Sequence, residues 1–264
     1  MNTIVIAELG STWLFSRKDK ENLLRGSKLI RLAAEAGASC VKVQWVSDPA
    51  AMAKRRKVPV GTYAHLAWPM DWHEHFAFQA RAMGLQYIST VFLPGDVALL
   101  APWVNRYKVA SLEWQSASLR EALQNQDRPV IYSTGCCAAK DVQWHGKLSD
   151  RLLHCVASYP AKPEEMNLAA MKIYGFANSY DGLSDHSGNV LTGAFAVMRG
   201  ASIIEAHIRL DETPKTNPDY QHSLNPAQFA LYTKYIQLAE AMLGDGRKKI
   251  ERGERALMKH RVRQ

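Results

Sequence analysis

Long apolar runs are missing from this 264-residue chain: nowhere do 18 uncharged apolar residues follow one another, so no segment reads as a membrane-spanning helix. The N-terminus lacks a basic stretch leading into an apolar run, because Thr3-Ile-Val-Ile-Ala7 enters a strand directly. That leads us to expect no secretory leader and a cytoplasmic protein with no membrane contact. Cysteine is scarce. Cys40, Cys136, Cys137 and Cys155 lack the paired spacing of a metal site. Adjacent cysteines such as Cys136 and Cys137 bridge only under strain, so all four are expected as reduced thiols. Glycine-rich loops of the Walker or dinucleotide type are absent, as are internal repeats and low-complexity segments, which removes the common nucleotide folds and solenoids.

Acidic residues are outnumbered, giving a net charge of +8, yet the excess is unevenly placed. Between Asp245 and Gln264 eight Lys or Arg face only Asp245, Glu251 and Glu254, so this tail alone holds most of the excess. A basic tail without interleaved aromatics reads as a solvated terminal helix rather than a nucleic-acid arm. The body is only mildly basic, which suits a pocket for an anionic substrate.

What the chain does have is a 47% hydrophobic composition and a regular alternation of strand-like and helix-like segments. Strands are expected near Thr3-Ala7, Cys40-Trp45, Gln86-Phe92, Arg106-Ala110, Val130-Ser133, Leu152-Ala157, Tyr180-Ser184 and Ser202-His207. Eight strands with crossover helices close a barrel, so the predicted fold is a single α/β (β/α)8 TIM barrel over residues 1–244, followed by a basic tail over 245–264. Helices are expected before Gly37, from Trp72 to Met83, from Asn189 to Arg199, and after Asn225-Pro226, where a good N-cap precedes proline. The stretch Val46 to Met70, with Lys54-Arg55-Arg56-Lys57, reads as the longest irregular segment, either a surface excursion or a lid whose cations meet an anion. His73 and His75 lie at i and i+2 of a helix and are expected at the surface.

Polar clusters end the strands: Lys108-Val-Ala-Ser111-Leu-Glu113, Ser133-Thr-Gly135, Ser184-Asp-His186 and Glu205-Ala-His207. A barrel gathers such ends around one cavity. His186 and His207 with Glu113 could hold a divalent ion with positions left open, or each histidine could be a hydrogen-bonded structural group. Lys42 and Lys108 on barrel strands must find an anion or lose their charge, and Thr90, Ser111, Ser133 and Ser184 beside them suit a phosphate and carboxylate. Glu8 is either paired with one of these lysines or free as an acid or base, and Asp219 either enters the cavity or caps a turn.

In order along the chain stand Ile6-Ala-Glu-Leu-Gly10, Ala36-Gly-Ala-Ser-Cys-Val-Lys-Val-Gln44, Ser89-Thr-Val-Phe92, Tyr107-Lys-Val-Ala-Ser-Leu-Glu113, Ser133-Thr-Gly135, Leu153-His-Cys155 with Tyr159-Pro160, Gly182-Leu-Ser-Asp-His186, Gly200-Ala-Ser-Ile-Ile-Glu-Ala-His207, and Pro218-Asp219 with Ser223. In this collinear set the chain resembles the sialic acid synthase family, whose barrel condenses phosphoenolpyruvate with an amino sugar. The resemblance implies that Glu113, His186 and His207 bind a divalent metal, Mn²⁺ first, with Mg²⁺ or Co²⁺ as alternatives. It implies that Lys42, Thr90, Lys108, Ser111, Ser133 and Ser184 hold phosphoenolpyruvate. Tyr159 would line the cavity, and Glu8 and Asp219 would contact the acceptor and assist proton transfer. The product would be a 2-keto-3-deoxy sugar acid of the nonulosonic type, plus phosphate.

The departures fall mostly on the acceptor side. Ser11-Thr12-Trp13 stands where the family has Asn-His, Thr90-Val-Phe-Leu93 replaces Thr-Pro-Phe-Asp, Ala206 replaces a lysine, and Ala157 beside Ser158 replaces Ser or Asn. The family's small antifreeze-like domain, which brings an arginine to the partner subunit's sugar, has no counterpart before Gln264, so a homodimer or a partner protein supplying that acceptor clamp is expected. Two other readings stay open: a metal-dependent aldolase or lyase on a related acceptor, and a non-catalytic ligand-binding barrel that supports a partner enzyme.

Overall fold

The computed structural model describes residues 3–142, 146–171 and 180–262. Eight parallel strands close a barrel in sequence order: β1 (Ile4–Glu8), β2 (Cys40–Gln44), β3 (Gln86–Val91), β4 (Arg106–Val109), β5 (Val130–Ser133), β6 (Arg151–Cys155), β7 (Gly182–Asp185) and β8 (Ile203–His207). Each expected strand is present, within two residues of its expected ends. β1 lies beside β8 with Glu8 opposite His207, and beside β2 with Glu8 opposite Lys42.

The period of two along each strand sorts the side chains. Val5, Val41, Val43, Tyr87, Tyr107, Leu183 and Ile204 join the core beneath the helices. The alternate positions point inward in layers. Ile6, Cys40, Ile88, Ile131, Leu153 and Ile203 form an apolar plug. One pleat higher, the eight strands carry Glu8, Lys42, Thr90, Lys108, Ser133, Cys155, Ser184 and Glu205, all buried. The barrel is therefore dry at one end and polar at the other, and the polar end is the C-terminal end of the strands, where barrels hold their chemistry. β7 needs Gly182 in the lower layer, because a Cβ there would lie 1.8 Å from the Ile203 carbonyl oxygen.

The crossovers include α1 (Asp19–Glu35), α2 (Pro49–Arg56), α3 (Trp72–Ala82), α4 (Pro94–Leu100), α5 (Ala117–Gln124), α6 (Thr192–Met198) and α7 (Pro226–Leu243). The α7 start is as expected: Asn225 accepts the Gln228 N–H, and Pro226 opens the helix. After β5 and β6 the described residues form only short 3₁₀ turns. The tail has a 3₁₀ segment, Arg252–His260, and its described residues are exposed. Among the described residues no helix is long and apolar enough to cross a membrane.

One expectation is refined and one overturned. Val46 to Met70 is not irregular throughout, since it contains α2 and a 3₁₀ turn at Ala64–Leu66, and Val46, Met52, Leu66 and Phe92 pack as a small core of their own. His73 is not a surface residue. It is fully buried, shares a hydrogen bond of 2.8 Å between Nδ1 and the Tyr87 hydroxyl, and lies against Trp45, Trp68 and Trp103. His75 does reach the surface, two residues on, where Ser27 Oγ lies 2.9 Å from its Nε2.

Candidate active site

A cavity of about 460 Å³ opens at the C-terminal end of the barrel. Its floor is a network around Glu205, a residue to which the strand-end pattern gave no role. Glu205 Oε1 accepts from Ser184 Oγ at 3.0 Å and lies 3.4 Å from Lys42 Nζ and 3.9 Å from Lys108 Nζ. Lys42 also pairs with Glu8 Oε2 at 2.5 Å and donates to Thr90 Oγ1 at 3.1 Å, while Lys108 donates to Ser133 Oγ at 2.6 Å. Glu8 is thus paired rather than free: its other oxygen accepts from Gly10 N at 2.9 Å and Gln44 Nε2 at 3.0 Å.

Burial and charge compete across this network. Burial would raise the Glu205 carboxyl, but the Lys108 and Lys42 ammoniums pull it below the usual carboxylate range. Burial likewise opposes charge on Lys42, but Glu205 and Glu8 hold its ammonium above its ordinary value. Lys108, with Glu205 as its main carboxylate and Lys42 nearby, is pushed down by burial. Glu8 is pushed up by burial despite Lys42.

The opposite wall is built of histidines. His186 shares its Nδ1 proton with the Val156 carbonyl at 2.9 Å, which fixes the tautomer and leaves Nε2 for another partner. Its ring lies 5.5 Å from that of His207 and 4.3 Å from that of Tyr159. His207 is depressed well below the ordinary histidine value, first by burial and then by His222, and its Nδ1 has no hydrogen-bond partner. Asp219 is brought into the same place. Its Oδ2 accepts from Ser11 N at 2.6 Å and Ser11 Oγ at 2.7 Å, and it crowds Gly10, where an added Cβ would lie 2.5 Å from that oxygen. Burial would raise Asp219, but His222, His207 and Ser11 hold it well below the usual range. Ligand atoms from His207, Asp219 and His222 lie within 4.8 Å of one another.

Of the expected ligands only His207 is in that group among the described residues, and neither His186 nor Glu113 joins it. Glu113 lies at the rim after β4, and its Oε1 accepts from Arg56 Nε at 2.9 Å and from the same guanidinium's terminal nitrogen. The physical reason is α2: it ends at Arg56, and this cation reaches Glu113 across the cavity mouth. Burial nevertheless raises Glu113 above the usual carboxylate range, and its Oε2 has no hydrogen-bond partner.

The remaining expected residues all reach the cavity. Thr90, Ser111, Ser133 and Ser184 line it with both lysines, and Ser111 Oγ accepts from Gly135 N at 2.9 Å. Tyr159, 55% exposed, forms part of the lip. Glu205, His222 and Arg56 also line the cavity without an assigned role. Glu205 was signalled by its inward register between Ile203 and His207, and His222 by its place three residues after Asp219. Arg56 was signalled only as part of a basic run.

The chain matches the NeuB family over residues 29–248. It is 30% identical to a Methanocaldococcus jannaschii protein called uncharacterized protein MJ1065, with 84% of this chain and 68% of that protein covered. It is 28% identical to an N,N'-diacetyllegionaminic acid synthase of Legionella pneumophila, with 99% and 80% covered. Among solved structures, the N-acetylneuraminic acid (sialic acid) synthetase of Leptospira borgpetersenii, in complex with citrate, shares the fold with a TM-score of 0.84 at 23% identity, covering 98% of this chain and 91% of that one. The chain belongs to the NeuB family, the sialic acid synthase family that its motifs resemble, and is an enzyme of the synthase type.

Proposed function

We propose that this enzyme condenses phosphoenolpyruvate with an open-chain aldose or amino sugar, giving a 2-keto-3-deoxy sugar acid of the nonulosonic type and phosphate. The observation that carries this reading is the floor: two buried ammoniums, Lys42 and Lys108, beside the hydroxyls of Thr90, Ser133 and Ser184, facing a histidine and carboxylate wall across one cavity. Short hydroxyls and ammoniums are the donors that a phosphate and a carboxylate on a small molecule require. The relatives named as synthases of legionaminic and pseudaminic acids support the product class.

The donors on the histidine wall fit a divalent ion. His207 Nδ1 and both His222 nitrogens are buried without hydrogen-bond partners, and Asp219 supplies an ionised oxygen beside them. Charge balance points the same way. Lys42, Lys108 and Arg56 are each already paired with a carboxylate, Glu8, Glu205 or Glu113, and Asp219 adds another at the cavity, so a multiply charged anion would be helped by further positive charge there. Mn²⁺ is our first assignment, with Mg²⁺ or Co²⁺ as alternatives, and His186, His207 and Asp219 would hold it, with Glu113 an expected ligand that pairs with Arg56 in this structure. When bound, such an ion polarises the acceptor's aldehyde oxygen.

The chain's own residues do the rest. Lys42 and Lys108 hold the phosphate and carboxylate, so that the methylene carbon of phosphoenolpyruvate faces the aldehyde carbon. A carbon–carbon bond forms there as the enol ester's double bond is consumed, and water adds at C2. Collapse of that intermediate breaks the C2–O bond to phosphate and leaves the keto group. Glu205 and Glu8 would offset the positive charge that develops at C2, and the alkoxide from the aldehyde takes the proton that the adding water releases, with Asp219 and Glu8 as the groups that relay it. Tyr159 and the Arg56–Glu113 pair narrow the mouth and limit water entry before condensation.

The test is phosphate release from phosphoenolpyruvate by purified, metal-free protein, with and without Mn²⁺, across aldoses and N-acetylhexosamines. Release that requires both metal and one acceptor class supports the synthase. Release without any acceptor would favour a lyase or hydrolase, and neither release nor phosphoenolpyruvate binding would leave a non-catalytic barrel.

A further inference from the structure

We propose that His222 is a direct ligand of the divalent ion, together with His207 and Asp219, a role that neither the strand-end pattern nor the family resemblance gives it. The inference rests on the metal-assisted reading above and adds a ligand to it.

The first observation is an unsatisfied ring. His222 is 2% exposed, and neither of its ring nitrogens has a hydrogen-bond partner. A buried polar group left in that state costs about 1–3 kcal/mol, so proteins rarely leave one without a ligand or water to serve. Asp219 Oδ1 lies 3.4 Å from Nε2 without the geometry of a hydrogen bond. The second observation is convergence. His207 Nδ1 is also unpartnered, the two rings are 4.5 Å apart at 76°, and donor atoms of His207, Asp219 and His222 fall within 4.8 Å of one another. Metal bonds of about 2.0–2.2 Å to nitrogen and oxygen put opposed donors about 4.4 Å apart at most, so only a small inward movement of these side chains would close the set.

The backbone holds His222 there independently of any ion. Leu224 N donates to His207 O at 2.9 Å, and Ile208 and Leu224 form a parallel bridge, so residues 222–224 run on beside the end of β8. Ser223 Oγ donates to Asp219 O at 2.5 Å and closes the turn between the two side chains. Gly188, at φ +65°, lets the segment pack closely: a Cβ there would lie 2.9 Å from Gln221 O and 3.2 Å from His222 Cα. Tyr159 covers the outer side of the ring at 5.0 Å. With His186, whose ring lies 5.5 Å from that of His207 and 6.1 Å from that of His222, three imidazoles and one carboxylate would surround the ion and leave directions open to the cavity, a donor set suited to Mn²⁺ or Co²⁺.

The experiment uses the full chain, stripped of metal and titrated with Mn²⁺ by calorimetry, with pulsed electron paramagnetic resonance of the Mn²⁺-loaded protein to count coupled imidazole nitrogens. Wild type is compared with His222→Ala and His222→Gln. We expect both variants to bind Mn²⁺ at least tenfold more weakly and to lose one imidazole coupling. A structural His222 that only bonds Asp219 would be rescued by glutamine, which still donates a hydrogen bond. Circular dichroism checks each variant, and His222→Gln carries the test where His222→Ala does not fold. Unchanged affinity and nitrogen count in a variant of a metal-binding wild type would overturn the His222 assignment alone. A wild type that binds no divalent ion would overturn it together with the metal-assisted reading.

Discussion

Glu205 is the residue whose removal says most about the cavity floor. It is buried between two ammoniums at 3.4 and 3.9 Å. Lys42 keeps Glu8 as a partner if Glu205 is lost, but no other carboxylate pairs with Lys108 among the described residues. Glu205→Ala therefore leaves one buried cation without a counter-ion and Ser184 Oγ without its acceptor. Breaking a buried pair in this way costs about 3–5 kcal/mol. Glu205→Gln keeps an acceptor for Ser184 and should cost less, about 1.5–3 kcal/mol for the lost charged contacts. With its counter-ion gone, Lys108 sheds its proton more readily when folded than when unfolded. The unfolded state then binds more protons, so the deficit should shrink as pH rises toward the ordinary lysine value. Binding should move the opposite way. The removed carboxylate competes with an incoming anion for the same two ammoniums, so phosphoenolpyruvate should bind the variants at least as tightly as wild type. At 100 times its dissociation constant it should then restore about 2.7 kcal/mol. Urea unfolding with and without phosphoenolpyruvate, together with calorimetric titration, reads both quantities. A Glu205→Ala protein within about 1 kcal/mol of wild type would refute the counter-ion argument. Phosphoenolpyruvate affinity that falls along with stability would show that Glu205 shapes the anion site rather than competing for it.

Lys108→Ala should weaken phosphoenolpyruvate binding by about tenfold or more, since a charge-assisted contact contributes about 1.5–3 kcal/mol; calorimetry showing equal affinity would count against the anion site. His186→Ala and His207→Ala should each abolish metal binding with little loss of secondary structure, and unchanged metal stoichiometry in both would sink the assignment. His73 is pushed down to about 3 by burial, from 6.5. Its neutral ring therefore contributes stability that is full above the unfolded value and lost as pH falls toward the folded one, at up to about 1.4 kcal/mol per pH unit. In urea unfolding between pH 6.5 and 4.5, His73→Phe should flatten that slope, whereas an unchanged slope would place the acid sensitivity elsewhere.

The barrel was legible because its evidence is repetitive. Eight apolar segments, each separated by a helical pattern, leave little freedom in topology. The inward layer was legible in part: a lysine or hydroxyl on a strand ending at the polar rim has to face the cavity or find an anion, and Lys42, Thr90, Lys108, Ser133 and Ser184 all do so. Glu205 went unassigned although it follows the same period of two, because a carboxylate beside His207 drew no attention until its distance to both lysines was known. Glu113 is grouped with the histidines by its strand-end position and by the family resemblance. Which neighbour it meets depends on α2, whose reach no spacing along β4 encodes. His73 shows the same limit on a helix. A histidine at i and another at i+2 point apart, but that separation does not say which of the two points inward, and three tryptophans from distant segments decide it.

The segment from Val46 to Met70 joins these points. Its start carries the same signature that located α7, an N-cap residue followed by proline: Asp48 accepts the Ala51 N–H at 2.9 Å and Pro49 opens α2. The helix was obscured because Lys54, Arg55 and Arg56 crowd its end, where cations suit the C-terminal dipole as well as they suit a flexible loop. Two hydrogen bonds then fasten the far side of the segment to the barrel, Trp45 Nε1 to Trp68 O at 2.9 Å and Trp68 Nε1 to Gln44 O at 3.1 Å, while Val46 N donates to Leu66 O at 3.2 Å. With both ends tied to β2 and a buried core between them, the segment is built as a wall of the cavity. Arg56 is held at the mouth by that wall, so Glu113 meets a cation of fixed origin.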